Sequence, residues 1–119
     1  MADKLMVVIP CYNHESFVQD SIQSVIDQSY QNIELIIIDD GSKDGSVEKI
    51  KEMLDLCEER FIRFKFISRE NRGISVTLNE AIRWSKGEYW AICSSDDFYH
   101  YNKIEKQVTL MHNDKNIAL

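Results

Sequence analysis

The chain has 119 residues, of which 44% are hydrophobic and 29% are charged, and its formal net charge is −6. This length and composition predict one globular domain with a buried core and exclude a disordered chain. The acidic balance and the lack of a basic tract argue against nucleic acid as a partner. Because the sequence has no long apolar run, we expect neither a membrane span in this chain nor a signal peptide.

The first predicted elements are a strand and a helix. Residues 5–9 are apolar and predict a buried strand that stops at Pro10, because proline cannot donate to a strand ladder. A loop follows, and Ser16 with Gln19 then has the spacing of a helical capping box. Apolar residues at helical spacing predict a helix that ends near Ser29.

A second apolar run leads directly into two carboxylates. Residues 35–38 predict a strand buried on both faces, and Asp39 and Asp40 follow it at once. Ligands of open α/β sheets bind beyond the carboxyl ends of the strands, so both carboxylates are candidate ligand contacts. The alternative is that one caps a turn and the other is solvated. Ser46 is the expected N-cap of one continuous helix over residues 47–57.

The second half repeats this alternation of strands and helices. Residues 62–66 alternate apolar with basic side chains, which is typical of an edge strand. The turn 71–73 precedes a helix for which Lys86 and Gly87 are the expected C-cap. A fourth strand over residues 89–93 leads towards a second pair of carboxylates, and Asn102 with Glu105 predicts the cap of a last helix.

Four strands alternating with four helices predict an α/β sheet with right-handed crossovers. The loops after strands one, two and four then share one end of the sheet, and they carry Tyr12–Asn13, Asp39–Asp40 and Asp96–Asp97. Carboxylates without a His or Cys partner at ligand spacing favour Mg²⁺ or Mn²⁺, which would let an acidic protein hold an anionic diphosphate. The alternatives are that Tyr12 only covers the core and that Asp96–Asp97 caps a turn.

Three cysteines, Cys11, Cys57 and Cys93, are widely spaced in the sequence. They match neither a metal-ligand pattern nor an even set of disulfides. We therefore interpret them as reduced thiols, which predicts a cytoplasmic protein.

Five motifs in order resemble family 2 glycosyltransferases of the GT-A fold, and the resemblance covers nearly the whole chain. The motifs are Pro10-x-Tyr12-Asn13, Asp39-Asp40-Gly41-Ser42-x-Asp44-Gly45-Ser46, Asn71-x-Gly73, Lys86-Gly87-Glu88-Tyr89 and Asp96-Asp97. The resemblance implies a Rossmann-like half of the GT-A fold, with a mostly parallel sheet in the order 3-2-1-4 flanked by helices.

The resemblance also implies roles for individual residues. It implies that Pro10, Tyr12 and Asn13 hold the nucleotide part of a nucleotide sugar and that Asp40 pairs with the base. It further implies that Asp96 contacts the ribose or diphosphate side. Asp97 is the implied ligand of Mn²⁺ or Mg²⁺.

The chain departs from the family pattern at three places. Ser94 stands where many members have a further Asp, so metal ligation rests on Asp97. The arginine that many members carry after the Asn-x-Gly turn is missing, and Arg72 is the candidate to replace it in binding the nucleotide sugar. The family's acceptor half and catalytic base would lie beyond Leu119, so we expect residues 1–119 to be a single nucleotide-diphospho-sugar-binding domain of a longer enzyme.

The function implied by the resemblance is inverting transfer of a sugar from a UDP-linked donor to a hydroxyl of an acceptor glycan or lipid-linked sugar. We expect this to occur in the cytoplasm, at the inner face of the membrane if other regions of the enzyme reach it. The alternative is a non-catalytic domain that binds nucleotides or a protein partner. A dinucleotide dehydrogenase is disfavoured because no Gly-x-Gly-x-x-Gly follows any predicted strand.

Overall fold

A computed structural model of the chain describes residues 4–87, 89–95, 103–106 and 108. Its elements are β1 (Leu5–Cys11), α1 (Val18–Ile26), β2 (Ile33–Asp40), α2 (Ser46–Lys51), α3 (Leu54–Arg60), β3 (Arg63–Arg69), α4 (Ile74–Trp84) and β4 (Tyr89–Ile92). Residues 103–106 and 108 are also helical. The predicted cap at Asn102 lies outside the described residues, as do Asp96 and Asp97.

The four strands form one parallel sheet in the order β3-β2-β1-β4. This confirms the predicted fold class and strand order, and it confirms that the strand with alternating apolar and basic residues lies at an edge. In the register Leu5 pairs with Ile33 and Cys11 with Asp39, so β1 and β2 reach the carboxyl end of the sheet together.

Both faces of the two central strands are buried, as the unbroken apolar runs predict. On one face the side chains of β1 and β2 pack with α1, α2 and α3 in the larger core. The smaller core, on the α4 face, consists of Met6, Val8, Ile36, Ile38 and Ala81. Within the described part of the chain, no helix is long and apolar enough to cross a membrane.

The single helix expected over residues 47–57 is wrong, because the structure divides it into α2 and α3. The break lies at Glu52 and Met53, where the amide of Met53 donates to the carbonyl of Ile50, three residues back. This tighter turn brings Met53 into the larger core between Ile50 and Cys57. The break between α2 and α3 is therefore accompanied by burial of the Met53 side chain.

The expected amino-terminal caps of α1 and α2 are also wrong. Helix α1 begins after Phe17 without a side-chain cap, and Gln19 instead donates to the carbonyl of Lys49 at 2.9 Å. Helix α2 begins at Ser46 without a side-chain cap, and the hydroxyl of Ser46 instead accepts from the amide of His14 at 3.0 Å. Tertiary contacts of these polar side chains replaced the local hydrogen bonds that their spacing predicts.

Lys86 and Gly87 do not cap α4, because the helix ends before Ser85, whose backbone is extended. Gly87 is needed for a close approach: a Cβ built on it would lie 2.9 Å from the carbonyl oxygen of Lys4. The amide of Lys86 donates to Oε1 of Glu34 at 3.0 Å. This segment therefore seals the amino end of the sheet.

Candidate functional site

A cleft of about 470 Å³ opens at the carboxyl end of the sheet. Its walls come from the ends of β1 and β2, from the segments after β1, β3 and β4, and from the start of α4. The lining residues are Pro10, Cys11, Tyr12, His14, Asp40, Asn71, Gly73, Ile74, Thr77, Ser94 and Ser95. The structure thus brings three predicted site residues, Pro10, Tyr12 and Asp40, into one cleft.

Asn13 joins the loop after β1 to the loop after β2. Its Oδ1 accepts from the amide of Lys43 at 2.8 Å, and its own amide donates to Oγ of Ser42 at 2.9 Å. Asn13 has a positive φ of 55°, a conformation that asparagine tolerates better than most residues. Its side-chain oxygen is therefore engaged within the protein and fixes the loop that carries Tyr12.

Asp39 and Asp44 shape the second loop. The carboxylate of Asp39 accepts from the amide of Ser42 at 2.9 Å, so the turn-capping alternative holds for this residue. Asp44 accepts from the amide of Glu15 at 3.2 Å, and Glu15 in turn accepts from the amide of Gly45 at 3.2 Å. Burial raises the pKa of Asp44, but its hydrogen bonds with Ser46 and Glu15 outweigh burial and leave the pKa below its usual range.

Asp40 is held from three sides and is not solvated. Oδ1 accepts from the guanidinium of Arg69 and from the amide of Arg72 at 2.8 Å. Oδ2 accepts from the amide of Gly73 at 3.0 Å. Burial raises the pKa of Asp40, but the bonds from Arg72, Arg69 and Gly73 outweigh burial and lower the pKa below its usual range. Asp40 therefore presents an ionised carboxylate to the cleft at neutral pH.

The 71–73 turn lies against the end of β2. Asn71 donates from Nδ2 to the carbonyl of Asp40 at 3.0 Å. Gly41 has a φ of +80°, and a Cβ built on it would lie only 2.6 Å from the amide nitrogen of Asn71. This close backbone approach, together with the positive φ, requires glycine.

Arg72 contacts Asp40 only through its backbone. Its guanidinium is about half exposed, pairs with Oε1 of Glu70 at 3.3 Å and does not line the cleft. The arginine whose side chain meets Asp40 is Arg69, which the sequence reasoning missed. A signal was available, because acidic residues end β2 and a basic residue ends the neighbouring edge strand.

Tyr12 and Ile74 supply exposed apolar surface to the cleft. Their exposed fractions are 45% and 55%, so neither serves mainly to cover the core. Ile74 was also missed from the sequence, although an apolar residue directly after the Asn-x-Gly turn is a usable signal. Together with Pro10 they give the cleft an apolar lining beside the carboxylate of Asp40.

Cys11, His14 and Ser95 lie deeper in the cleft. Nδ1 of His14 is 2.5 Å from Oγ of Ser95, and Cys11 is fully buried. Burial raises the pKa of the Cys11 thiol, so it is not a thiolate nucleophile at neutral pH. All three cysteines are buried and none of them forms a disulfide.

The predicted metal ligand Asp97 and the predicted ribose or diphosphate contact Asp96 lie outside the described residues. Ser94 and Ser95, which directly precede them in sequence, line the cleft. Among the residues that the structure describes, no group of three or more His, Cys, Asp or Glu side chains is arranged to hold a metal ion.

Comparison with known proteins identifies relatives in sequence. The family model described as glycosyl transferase family 2 matches residues 6–119. An uncharacterized glycosyltransferase of Haemophilus influenzae is 37% identical over 107 residues, which are 90% of this chain and 42% of that protein. The putative teichuronic acid biosynthesis glycosyltransferase TuaG of Bacillus subtilis is 37% identical over 105 residues, 88% of this chain and 40% of that protein. The chain thus spans less than half of either relative.

Solved structures share the fold. TarS of S. aureus (residues 1–349), in complex with UDP-GlcNAc, has a TM-score of 0.80 at 20% identity and matches 94% of this chain and 32% of TarS. The mannosyltransferase PcManGT of Pyrobaculum calidifontis, in complex with GDP-Man and Mn²⁺, has a TM-score of 0.75 at 22% identity. That match covers 83% of this chain and 29% of the mannosyltransferase.

Proposed function

The chain belongs to glycosyl transferase family 2, and from this premise we propose that it is the nucleotide-sugar-binding domain of a longer glycosyltransferase. The enzyme would transfer a sugar from a UDP-linked donor to a hydroxyl of an acceptor glycan or lipid-linked sugar, with inversion. The observation that carries the proposal is the cleft at the carboxyl end of the sheet, where an ionised Asp40 lies beside the apolar surfaces of Tyr12 and Ile74.

The cleft suits a nucleobase in both shape and polarity. A base needs an apolar surface for its ring and a hydrogen-bond partner at its edge, and pockets for small ligands combine these two features. Tyr12 and Ile74 provide apolar surface, and Oδ2 of Asp40 accepts one hydrogen bond within the described residues. A carboxylate oxygen has a second acceptor position, which the N3–H group of uracil would fill.

We further propose that Asp96 contacts the ribose or diphosphate and that Asp97 binds Mn²⁺ or Mg²⁺. The oxygen chemistry of the two carboxylates fits a hard divalent cation. When bound, such a metal neutralises charge on the diphosphate leaving group. The structurally similar mannosyltransferase is in complex with GDP-Man and Mn²⁺, which supports a divalent metal as the cofactor. Buried cysteines that form no disulfide support a reducing cytoplasmic location.

Direct binding of nucleotides tests the proposal. We would titrate the 119-residue protein with UDP and GDP by calorimetry, each with Mn²⁺ and with EDTA. We expect UDP to bind more tightly than GDP, and Mn²⁺ to strengthen both, because one cation can bridge the protein and the diphosphate. If neither nucleotide binds in the presence of Mn²⁺, the proposal is wrong.

One variant and its control test the proposed metal ligand. Asp97→Asn should remove the strengthening by Mn²⁺ and leave the weak metal-independent binding of UDP unchanged. Lys49→Gln is the matched control, because Lys49 lies on α2, outside the lining of the cleft. Asp97→Asn protein that still responds fully to Mn²⁺ would remove Asp97 from the proposed metal site.

A further inference from the structure

Arg69 lies at the centre of a polar network behind Asp40. The two residues stand directly opposite each other in the register of β2 and β3. The guanidinium of Arg69 donates to Oδ1 of Asp40, to Oε1 of Glu80 at 2.8 Å and to Oγ1 of Thr77 at 2.7 Å. About 10% of the Arg69 side chain is exposed, so these bonds are made in a largely dry environment.

The network closes through the backbone of the 71–73 turn. The hydroxyl of Thr77 accepts from Arg69 and donates its own proton to the carbonyl of Gly73 at 3.0 Å. The amide of Gly73 then donates to Oδ2 of Asp40. Asp40, Arg69, Thr77 and Gly73 therefore form a closed ring, which we call the Arg69 ring, and it leaves the Asp40 carboxylate little freedom to rotate.

Arg69 does not line the cleft, so it acts on a ligand only through its partners that do, and of these Asp40 is the one that carries a charge. Against the effect of burial, the amides of Arg72 and Gly73 together with its guanidinium hold the pKa of Asp40 below its usual range. An ionised carboxylate accepts hydrogen bonds and cannot donate them. With its orientation and charge both fixed, Asp40 can pair only with a base edge that carries a proton.

We propose that Arg69 is a positioning residue that makes Asp40 an obligate hydrogen-bond acceptor and thereby selects uracil over cytosine. This inference rests on the proposed function, in which Asp40 meets the base. Uracil carries a proton on N3, whereas N3 of cytosine is itself an acceptor. A cytosine bound in the same position would place N3 acceptor to acceptor against Asp40, and its N4 amino group could donate to Asp40 only if the base shifted in the cleft. UDP and CDP share their ribose and diphosphate, so the ratio of their dissociation constants isolates this contact.

The experiment compares UDP with CDP by calorimetry at one concentration of Mn²⁺. We expect the wild-type protein to bind UDP at least about tenfold more tightly than CDP, because bonds to a charged group are among the strong ones. Arg69→Gln should reduce this ratio to about three or less. Arg69→Lys should give an intermediate ratio, because lysine restores the charge and not the planar bridge to Glu80 and Thr77.

Arg63→Gln is the matched control. Arg63 lies on the same strand and pairs with a buried carboxylate, Glu34, at the other end of the sheet. Loss of folding stability alone would act alike in both variants, so we expect Arg63→Gln to keep the wild-type ratio of UDP to CDP affinity. Circular dichroism would establish that each variant is folded at the temperature of the titration.

The outcomes distinguish the role of Arg69 from the proposed binding of nucleotides. If the wild type binds UDP and CDP equally, or if folded Arg69→Gln keeps the wild-type ratio, the role of Arg69 is overturned and nucleotide binding stands. If the wild type binds no nucleoside diphosphate, both proposals fall. If Arg69→Gln does not fold, Thr77→Val decides: it opens the Arg69 ring at a residue of similar shape and should lower the ratio about twofold to threefold, and an unchanged ratio would overturn the inference.

Discussion

Strand β2 carries a carboxylate near each end, and an arginine of β3 stands opposite each of them. Glu34 pairs with Arg63 at the amino end, and Asp40 pairs with Arg69 at the carboxyl end. The two ion pairs have the same chemistry, and in each of them the two residues stand directly opposite each other in the register. Their surroundings differ. The Glu34–Arg63 pair is covered and stabilises the fold, whereas the Asp40–Arg69 pair borders the candidate ligand site.

At the amino end the carboxylate is closed off. Glu34 is fully buried and accepts from Arg63 at 2.7 Å, from the amide of Lys86 at 3.0 Å and from the hydroxyl of Ser85 at 3.2 Å. The guanidinium of Arg63 also stacks 4.2 Å over the ring of Trp84. The segment after α4 thus covers Glu34 completely, and the hydrogen bonds of Glu34 hold that segment and Arg63 against the sheet.

At the carboxyl end the same kind of pair faces the cleft. Asp40 is 7% exposed and lines the cleft beside Tyr12 and Ile74. The loops that leave parallel strands diverge at this end, so space remains between them for a ligand. A carboxylate opposite an arginine in the register therefore does not by itself indicate a ligand site. Whether the carboxylate can reach a ligand depends on whether the segment beyond the strand covers it or leaves it open.

The largest effect should come from removing the closed carboxylate. We expect Glu34→Ala to lower the free energy of unfolding by about 3–5 kcal/mol, because it leaves the partners of a buried ion pair without a counterpart. Urea denaturation followed by circular dichroism measures this loss. Asp40→Ala should cost less, about 1–3 kcal/mol, because Arg69 keeps its ion pair with Glu80 when Asp40 is removed. A larger loss for Asp40→Ala than for Glu34→Ala would contradict the claim that the amino-end pair contributes more to the fold.

The next effect concerns ligand binding, for which we expect Asp40 to matter more than Glu34. We expect Asp40→Asn to weaken UDP binding by about 10-fold to 100-fold, because a hydrogen bond to a charged group contributes about 1.5–3 kcal/mol. Glu34→Gln is the counterpart at the closed end and should leave the affinity for UDP unchanged. Calorimetric titration of both folded variants measures the difference. Equal weakening in both would mean that UDP affinity follows general stability.

A smaller effect should separate backbone strain from steric contact at the cleft end. Gly41 and Gly73 both have positive φ, +80° and +93°. A Cβ on Gly73 would have no neighbour within 4 Å, whereas a Cβ on Gly41 would meet Asn71. We expect Gly73→Ala to cost about 1–2 kcal/mol of stability from strain alone and Gly41→Ala to cost more. Equal losses in urea denaturation would show that the turn moves to relieve the contact.

The sheet could be predicted from the sequence because its signals are local and strong. The unbroken apolar runs at β1 and β2 require burial on both faces, and the alternation over residues 62–66 requires an edge. The strand order came from the resemblance to the family. The break between α2 and α3 could not be predicted, because burial of Met53 depends on the sheet beneath it and the local sequence carries no helix breaker.

The candidate site was predictable in its location and only in part in its residues. The topology alone places Tyr12, Asp39 and Asp40 at one end of the sheet. The sequence could not show that Asp39 caps the turn and Asp40 faces the cleft. These roles depend on the hydrogen bonds from Ser42 to Asp39 and from Arg69 to Asp40. Asn13 likewise became part of the loop scaffold through contacts some thirty residues away in sequence.

The smallest effect should be the response of the cleft end to acid. Hydrogen bonds from Arg72, Arg69 and Gly73 outweigh burial and hold the pKa of Asp40 below its usual range, whereas an unfolded Asp has a pKa of about 3.9. The folded state therefore binds this proton less readily than the unfolded state. The stability from the Asp40 charge is fully present above about pH 4 and is lost as the pH falls through the lower pKa of the folded state.

The measurement compares the wild type with Asp40→Asn in urea denaturation at several values of pH. Asparagine is neutral at every pH, so the variant lacks the charge that protonation removes from the wild type. We expect the difference in unfolding free energy to be constant above about pH 5 and to shrink below about pH 4. Asp44, whose pKa is also lowered, remains in both proteins, so its contribution cancels. A difference that stays constant down to pH 3 would mean that Asp40 stabilises the cleft end through shape alone and that its charge contributes nothing to the fold.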